Sequence, residues 1–256
     1  MPENDLALLT EAAKAAGRIA LSFFKEDPQV WEKPGQGPVS EADLAVDAML
    51  SEMLRSARPD YGWLSEETAD DGTRLTTRRQ FIIDPIDGTR AFLEGSRDWS
   101  HSLAIIEDGK PIAAVVYLPA RSDTFAAASG QGATHNGAPI RASGDVTMAK
   151  AQVLTTKPTL NPANWLGTPP AFKKGYRSSL AYRMALAASG RFDAMLSLRK
   201  TWEWDIAAGA LIVEEAQGRA TDRTGAALRF NNAHPQVDGV VAGGVATQEA
   251  LIDALA

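Results

Sequence analysis

Cysteine is absent from all 256 residues. That removes disulfides, thiolate nucleophiles and Cys-ligated zinc in one step, and it suits a reducing compartment. Histidine is almost as scarce: His101, His135 and His234 are the only three. Long apolar runs are missing too, and none reaches the roughly 18 residues that span a bilayer. The stretch Met1–Leu9 carries Glu3 and Asp5 and no basic segment, so no signal peptide is expected there. Positive charge is in deficit, with 26 Lys and Arg against 32 Asp and Glu for a net −6. That balance, without any long Lys/Arg cluster, argues against a nucleic-acid surface. The expectation is a cytoplasmic protein with neither a nucleic-acid nor a membrane partner.

What is present is ordinary for a globular chain: 45% hydrophobic and 23% charged residues. The length allows one large α/β unit or two closely packed halves. Apolar spacing predicts helices over 5–25, about 40–56, 178–189, 204–217 and 247–255. The second of these is expected to bury Leu44, Val46, Met49, Leu50 and Leu54, with Ser40 and Asp43 forming an approximate capping box. Trp31 to Pro38, with two prolines and two glycines, reads as a loop. Between Ser102 and His135 the pattern changes to a meander of strands, with Asp108-Gly109 and Asn136-Gly137 as tight turns. Gly144 to Lys150 is a plausible seam. This order of elements predicts a layered, mixed α/β architecture.

Four acidic stretches carry the chemistry. Asp43 lies in the second predicted helix, where serving the helix dipole and serving catalysis are equal alternatives. Glu66-Glu67 follows a short strand, and such pairs are most often solvated turns. Asp205 sits in the first turn of the helix that opens at Trp204. Asp84 and Asp87 are harder to dismiss. A carboxylate directly after Phe81-Ile82-Ile83 is expected to be buried and to need a partner. The turn Asp84-Pro85-Ile86-Asp87-Gly88-Thr89 puts paired negative charge at a strand's carboxyl end, beside a helix start. That suits a hard cation and a phosphate together.

Taken together, Lys33, Val39-Ser-Glu-Ala-Asp43, Ser65-Glu66-Glu67, the D-P-x-D-G-T turn and Trp204-Asp205-Ile-Ala-Ala-Gly209 resemble the motif set of the inositol monophosphatase superfamily, in that family's order. The resemblance covers essentially the whole chain. Haloacid dehalogenase-type phosphatases, which carry D-x-D-G-T, are the competing reading; here Pro85 and Ile86 both separate the acids, which misplaces the second. The resemblance implies an αβαβα sugar-phosphatase fold. It divides the chain into an N-terminal half, 1–145, with most of the metal ligands, and a C-terminal half, 146–256, with Asp205 and the specificity loops. It implies Mg²⁺, two or three ions, held by Glu66, Asp84, the Ile86 carbonyl, Asp87 and Asp205. Glu67 becomes a ligand to water or to a third ion. Thr89, held by Asp43, would orient the attacking water, and Gly88 and Thr89 would receive the phosphate. A homodimer acting on a small phosphorylated molecule is implied as well.

For the substrate, Leu64-Ser65-Glu66-Glu67 and Ser178-Ser179-Leu180 look like the bisphosphate nucleotidase (CysQ-type) branch, although Arg177 replaces a glycine common there. Arg199 and Lys200 suit a second phosphate, the alternative being a solvated basic loop. Ser178, Asp87 and Asp205 complete the expected substrate contacts. Trp202 and Trp204 are either an adenine platform or a pair split between core and surface. The leading expectation is 3'-phosphoadenosine 5'-phosphate. Inositol 1-phosphate, histidinol phosphate and sugar phosphates are the alternatives, with a non-catalytic partner of transcription machinery as the reading from another class.

Overall fold

The computed structural model describes residues 2–33, 37–144 and 146–256. Helix α1 (Pro2–Phe23) is followed by a ribbon of two short strands, β1 (Val30–Lys33) and β2 (Gly37–Ser40). The loop expected over Trp31 to Pro38 is therefore an antiparallel pair on either side of Pro34 to Gln36, which lie outside the described residues. Pairing between the residues on either side of a proline- and glycine-rich segment is a non-local event that composition does not report.

Helix α2 (Glu41–Ala57) leads to β3 (Gly62–Ser65), β4 (Arg79–Asp87), the short helix α3 (Thr89–Leu93) and β5 (Ser100–Glu107). Strands β6 (Lys110–Leu118), β7 (Asp123–Ala128), β8 (Ala133–His135) and β9 (Ala138–Pro139) continue the meander. These seven strands form one sheet in the order β3-β4-β5-β6-β7-β8-β9, antiparallel except for the β3–β4 pair. The rest of the chain supplies β10 (Gln152–Leu154), β11 (Lys173–Gly175), α4 (Leu180–Ala188), β12 (Ala194–Trp202), α5 (Glu203–Glu215), β13 (Arg219–Thr221), β14 (Gln236–Gly243) and α6 (Val245–Ala254). The five strands among them make a second sheet, ordered β11-β10-β12-β14-β13.

Alternation along β4 explains the layering. Phe81 and Ile83 point to one face and pack with Leu9, Ala16, Leu50 and Leu54 of α1 and α2. Ile82 points to the other, among Met184, Ile206 and Val213 of α4 and α5. The far sides of α4 and α5 meet Met195, Val240 and Ala242 of the second sheet. Leu251 of α6 closes the outside, against Leu196 and Val241. The result is α, β, α, β, α. Helix α5 has no polar stripe because both its faces are covered by sheets. No helix among the described residues is long and apolar enough to cross a membrane.

Helix α2 corrects one expectation. Leu44 is 43% exposed, whereas Asp43 and Asp47 are buried. The inward stripe runs Ala42, Asp43, Val46, Asp47, Leu50 and Leu54, and Leu44 falls off it. A helix that turns two acids inward needs donors for them, and both find theirs near the cleft described next.

Candidate active site

The ends of parallel strands β3 and β4 lie side by side: Ser65 pairs with Ile83, and the Glu66 N–H donates to the Ile83 carbonyl at 3.2 Å. This sets Glu66 next to Asp84. Strand β4 then bulges. Asp84 pairs with Ser102 and Asp87 with Ser100, so Pro85 and Ile86 together face His101 alone. Gly88, at φ +100°, turns the chain into α3. That backbone conformation favours glycine, and the Asp98 carbonyl and the Ser179 backbone lie close by. Asp205 arrives from the other half of the chain on the first turn of α5. It is placed by the hydrogen bond from Ser102 Oγ to the Trp204 carbonyl, 2.9 Å.

Asp84, Asp87 and Asp205 each present an oxygen within 4.8 Å of the others. Burial, and then the charges of Glu66, Asp87 and Asp205, push the Asp84 carboxyl well above the usual range. Asp205 is raised in the same way, by burial and by Asp87 and Glu66. Asp87 is also raised by burial, although Ser179 Oγ and the Ala181 N–H each donate to its Oδ2 at 2.7 Å. Asp84 Oδ1 is buried with no hydrogen-bond partner. An orphaned oxygen amid mutually repelling carboxylates, with neither sulfur nor imidazole in the cluster, is a donor set that fits a hard, oxygen-seeking cation.

Other acids are differently placed. Lys33 Nζ donates to both Glu66 and Glu67 at 2.8 Å. Burial lifts Glu67 to about 7 against the lowering pull of Lys33. Asp43 caps its helix and also reaches Thr89. Its Oδ2 accepts from the Ser40 N–H at 2.8 Å as half of a capping box, while its Oδ1 accepts from Thr89 Oγ at 2.9 Å. Burial raises this carboxyl too, and Ser40 and Thr89 oppose the rise. Asp47 accepts from Ser65 Oγ at 2.5 Å and from Thr68 Oγ at 2.6 Å, fixing the turn that carries Glu66.

A cleft of about 500 Å³ opens over these groups. Glu66, Asp84, Ile86, Asp87, Gly88, Thr89 and Asp205 line it, together with Ser178 and Arg199. Lys200 is exposed and does not line the cleft; consecutive strand residues point to opposite faces, and of the two cations Arg199 takes the cleft side. The tryptophans are not an open platform. Trp202 and Trp204 stack on each other, with centroids 4.6 Å apart and planes 9° apart, outside the cleft lining.

Three side chains at the cleft are not singled out by the sequence for the places they take here. Ser179 caps α4 and holds Asp87, so the second serine of the Ser178-Ser179 pair does the orienting. Arg183 and Tyr176 line the cleft as a unit, the guanidinium 4.7 Å from the ring centroid and its Nε–H donating to the Arg177 carbonyl at 2.5 Å.

A family model described as the inositol monophosphatase family matches residues 1–256. Inositol monophosphatase 2 of Solanum lycopersicum is 32% identical over 235 residues, covering 87% of this chain and 89% of that protein. A histidinol-phosphatase of Chlorobaculum parvum is 31% identical over 229 residues, 86% of each chain. Among solved structures, the extragenic suppressor protein suhB from Bartonella henselae superposes with a TM-score of 0.83 at 27% identity, over 98% of this chain and 97% of that one. The chain belongs to the inositol monophosphatase family, whose members are metal-dependent phosphomonoesterases.

Proposed function

We propose that the protein is a Mg²⁺-dependent phosphatase whose substrate is 3'-phosphoadenosine 5'-phosphate. The observation that carries the reading is the cleft itself, lined both by a cluster of carboxylates and by two arginines, Arg183 and Arg199. The carboxylates suit metal and one phosphate. The arginines suit a further anionic group on the substrate, which planar guanidinium donors bind well. Glu66, Asp84, the Ile86 carbonyl, Asp87 and Asp205 would hold two Mg²⁺ ions, and Glu67 a third once Lys33 releases it. Such ions supply an acidified water and neutralise charge on the phosphate and its leaving oxygen.

The protein's own groups do the rest. Gly88 and Thr89 offer backbone N–H groups to the phosphate where α3 begins. Thr89 Oγ spends its proton on Asp43, which leaves its lone pairs to orient the attacking water. Ser178 and Arg199 meet the part of the substrate that leaves. A small phosphorylated molecule, not a nucleic acid, is the partner, and a homodimer is the assembly we expect.

Thr89→Ala should lower kcat by roughly 10²–10⁴-fold, the range for a side chain positioned on a transferring proton, and leave KM little changed. Thr89→Ser should keep most of the rate; steady-state kinetics on both variants checks this, and equal losses in both would remove the hydroxyl from the mechanism. The substrate is tested by phosphate release from 3'-phosphoadenosine 5'-phosphate, inositol 1-phosphate and histidinol phosphate, with and without Mg²⁺. The bisphosphate should show the highest kcat/KM. Arg199→Ala should raise its KM about tenfold, the loss of one charge-assisted hydrogen bond, and spare inositol 1-phosphate. Preference for inositol 1-phosphate would overturn the nucleotide assignment. Absence of Mg²⁺-dependent release from all three would overturn catalysis in favour of a regulatory role.

A further inference from the structure

We propose that His101 is a positioning residue that holds the metal-ligating turn in its bulged form. The observation is the hydrogen bond between His101 Nδ1 and the Pro85 carbonyl, inside a fully buried pocket. An antiparallel ladder satisfies each strand's carbonyls from its neighbour, but the β4 bulge sets Pro85 and Ile86 against one residue of β5. The carbonyl of Pro85 is bonded instead by the side chain of the residue that faces it. Because a carbonyl only accepts, Nδ1 carries the proton. His101 Nε2 is then a bare acceptor, and it is buried without a partner. The ring is fully buried and lies edge-on to Trp99, with centroids 5.7 Å apart.

The neighbours of His101 show why this one bond matters. Ser102, opposite Asp84, ties β5 to the start of α5 and so to Asp205. Ser100, opposite Asp87, bonds Ser179 Oγ at 2.9 Å, and Ser179 holds Asp87. Both serines act on the sheet face toward α4 and α5. By strand alternation His101 faces α1 and α2, and it fixes the turn from behind. Three consecutive side chains of β5 thus set the Asp84-to-Asp87 spacing from both faces of the sheet. Burial holds the imidazole down at about 4, so a neutral ring braces the turn without placing positive charge beside a cation site.

The inference rests on the metal reading above, and the test separates the two. Mg²⁺ binding is measured by calorimetry without substrate for the full-length wild type, His101→Phe and His101→Asn, with melting temperatures in chelator alongside. The Phe variant should bind Mg²⁺ roughly tenfold more weakly, the low end of the loss when a group supporting metal ligands is removed. The Mg²⁺ concentration for half-maximal rate should rise in proportion, with substrate KM unchanged at saturating Mg²⁺. His101→Asn places an amide N–H where Nδ1–H stands and should recover binding to within about threefold. If Phe proves too large to fold, His101→Leu, equally unable to donate, should show the same loss. Wild-type affinity in the non-donating variant overturns the proposal, as does an Asn variant no better than Phe. A wild type that binds no Mg²⁺ overturns the metal reading instead.

Discussion

Asp84→Asn should abolish Mg²⁺-dependent turnover and at the same time make the metal-free protein more stable. Asp84 is fully enclosed, one of its oxygens has no partner, and its surroundings are acidic. Without a cation the carboxylate is therefore a liability that the fold tolerates. Its folded pKa lies well above the ordinary 3.8. The sign follows: the penalty is absent below the ordinary value, grows as pH rises from there, and levels off once pH has passed the folded value. Metal-free wild type should lose stability from pH 4 toward neutrality, and the asparagine variant should lose less. The gain should be largest toward neutral pH, where most of the penalty has built up in the wild type. Turnover should fall by ~10³-fold or more, because a metal contributes several kcal/mol of charge stabilisation. Asp87→Asn should lose turnover equally but gain less stability, since Ser179 and Ala181 already satisfy one of its oxygens. Thermal melts in chelator across pH 4–8, with phosphate release at saturating Mg²⁺, check both variants. Retained turnover in either variant removes that residue from the metal site. An unstabilised Asp84→Asn would show that the enclosed charge costs the fold nothing.

The parts of this site that the sequence makes legible are those where one local pattern carries the chemistry. Phe81-Ile82-Ile83 followed by an acid announces a buried strand ending in charge, and the structure brings Asp84 and Asp87 together with Asp205. Asp43 is legible only as two alternatives, because Ser40 lies three residues away and Thr89 far along the chain. The parts that stay hidden depend on contacts between distant elements. Ser178 and Ser179 look alike in the chain, and only the packing of the α4 N-terminus against Gly88 decides which of them holds Asp87. Arg183 reads as one polar residue in a helix; its role needs Tyr176 beneath it and the cleft beside it. Spacing leaves His101 outside every motif, since a bulge register cannot be read before the strands are paired. Helical period alone assigns Leu44 to the core, yet the inward stripe passes to Asp43 and Asp47, whose donors come from other elements.

Arg74→Met should cost the protein roughly 3–5 kcal/mol, the penalty for leaving one member of a buried charge network uncompensated. Arg74 has no exposed surface. Its Nη2–H donates to Asp70 at 2.8 Å and to the Asn232 carbonyl at 2.9 Å, and its Nη1–H to Asn231 Oδ1 at 2.6 Å. The same two asparagines serve Glu203, which is equally buried: Asn231 N–H donates to it at 2.7 Å and Asn232 N–H at 2.9 Å. Burial raises the Glu203 carboxyl, while the Asn232 and Asn231 donors and the charge of Arg74 oppose the rise. Removing Arg74 strands the Glu203 charge and orphans an asparagine oxygen in one step. At about 2–4 °C per kcal/mol for a chain of this size, the melting temperature should drop by roughly 10 °C. Adding Glu203→Gln removes the stranded charge, so the double variant should be more stable than the sum of the two single losses. The network joins the segment after Glu66-Glu67 to the first turn of α5, two residues before Asp205. Arg74→Met should therefore also raise the Mg²⁺ concentration for half-maximal rate, because the two arms of the acidic cluster lose their common anchor. Melting curves in chelator and Mg²⁺ titrations of rate check the two effects separately. A drop under about 2 °C, worth less than ~1 kcal/mol, would show that this network does not hold the halves of the site together.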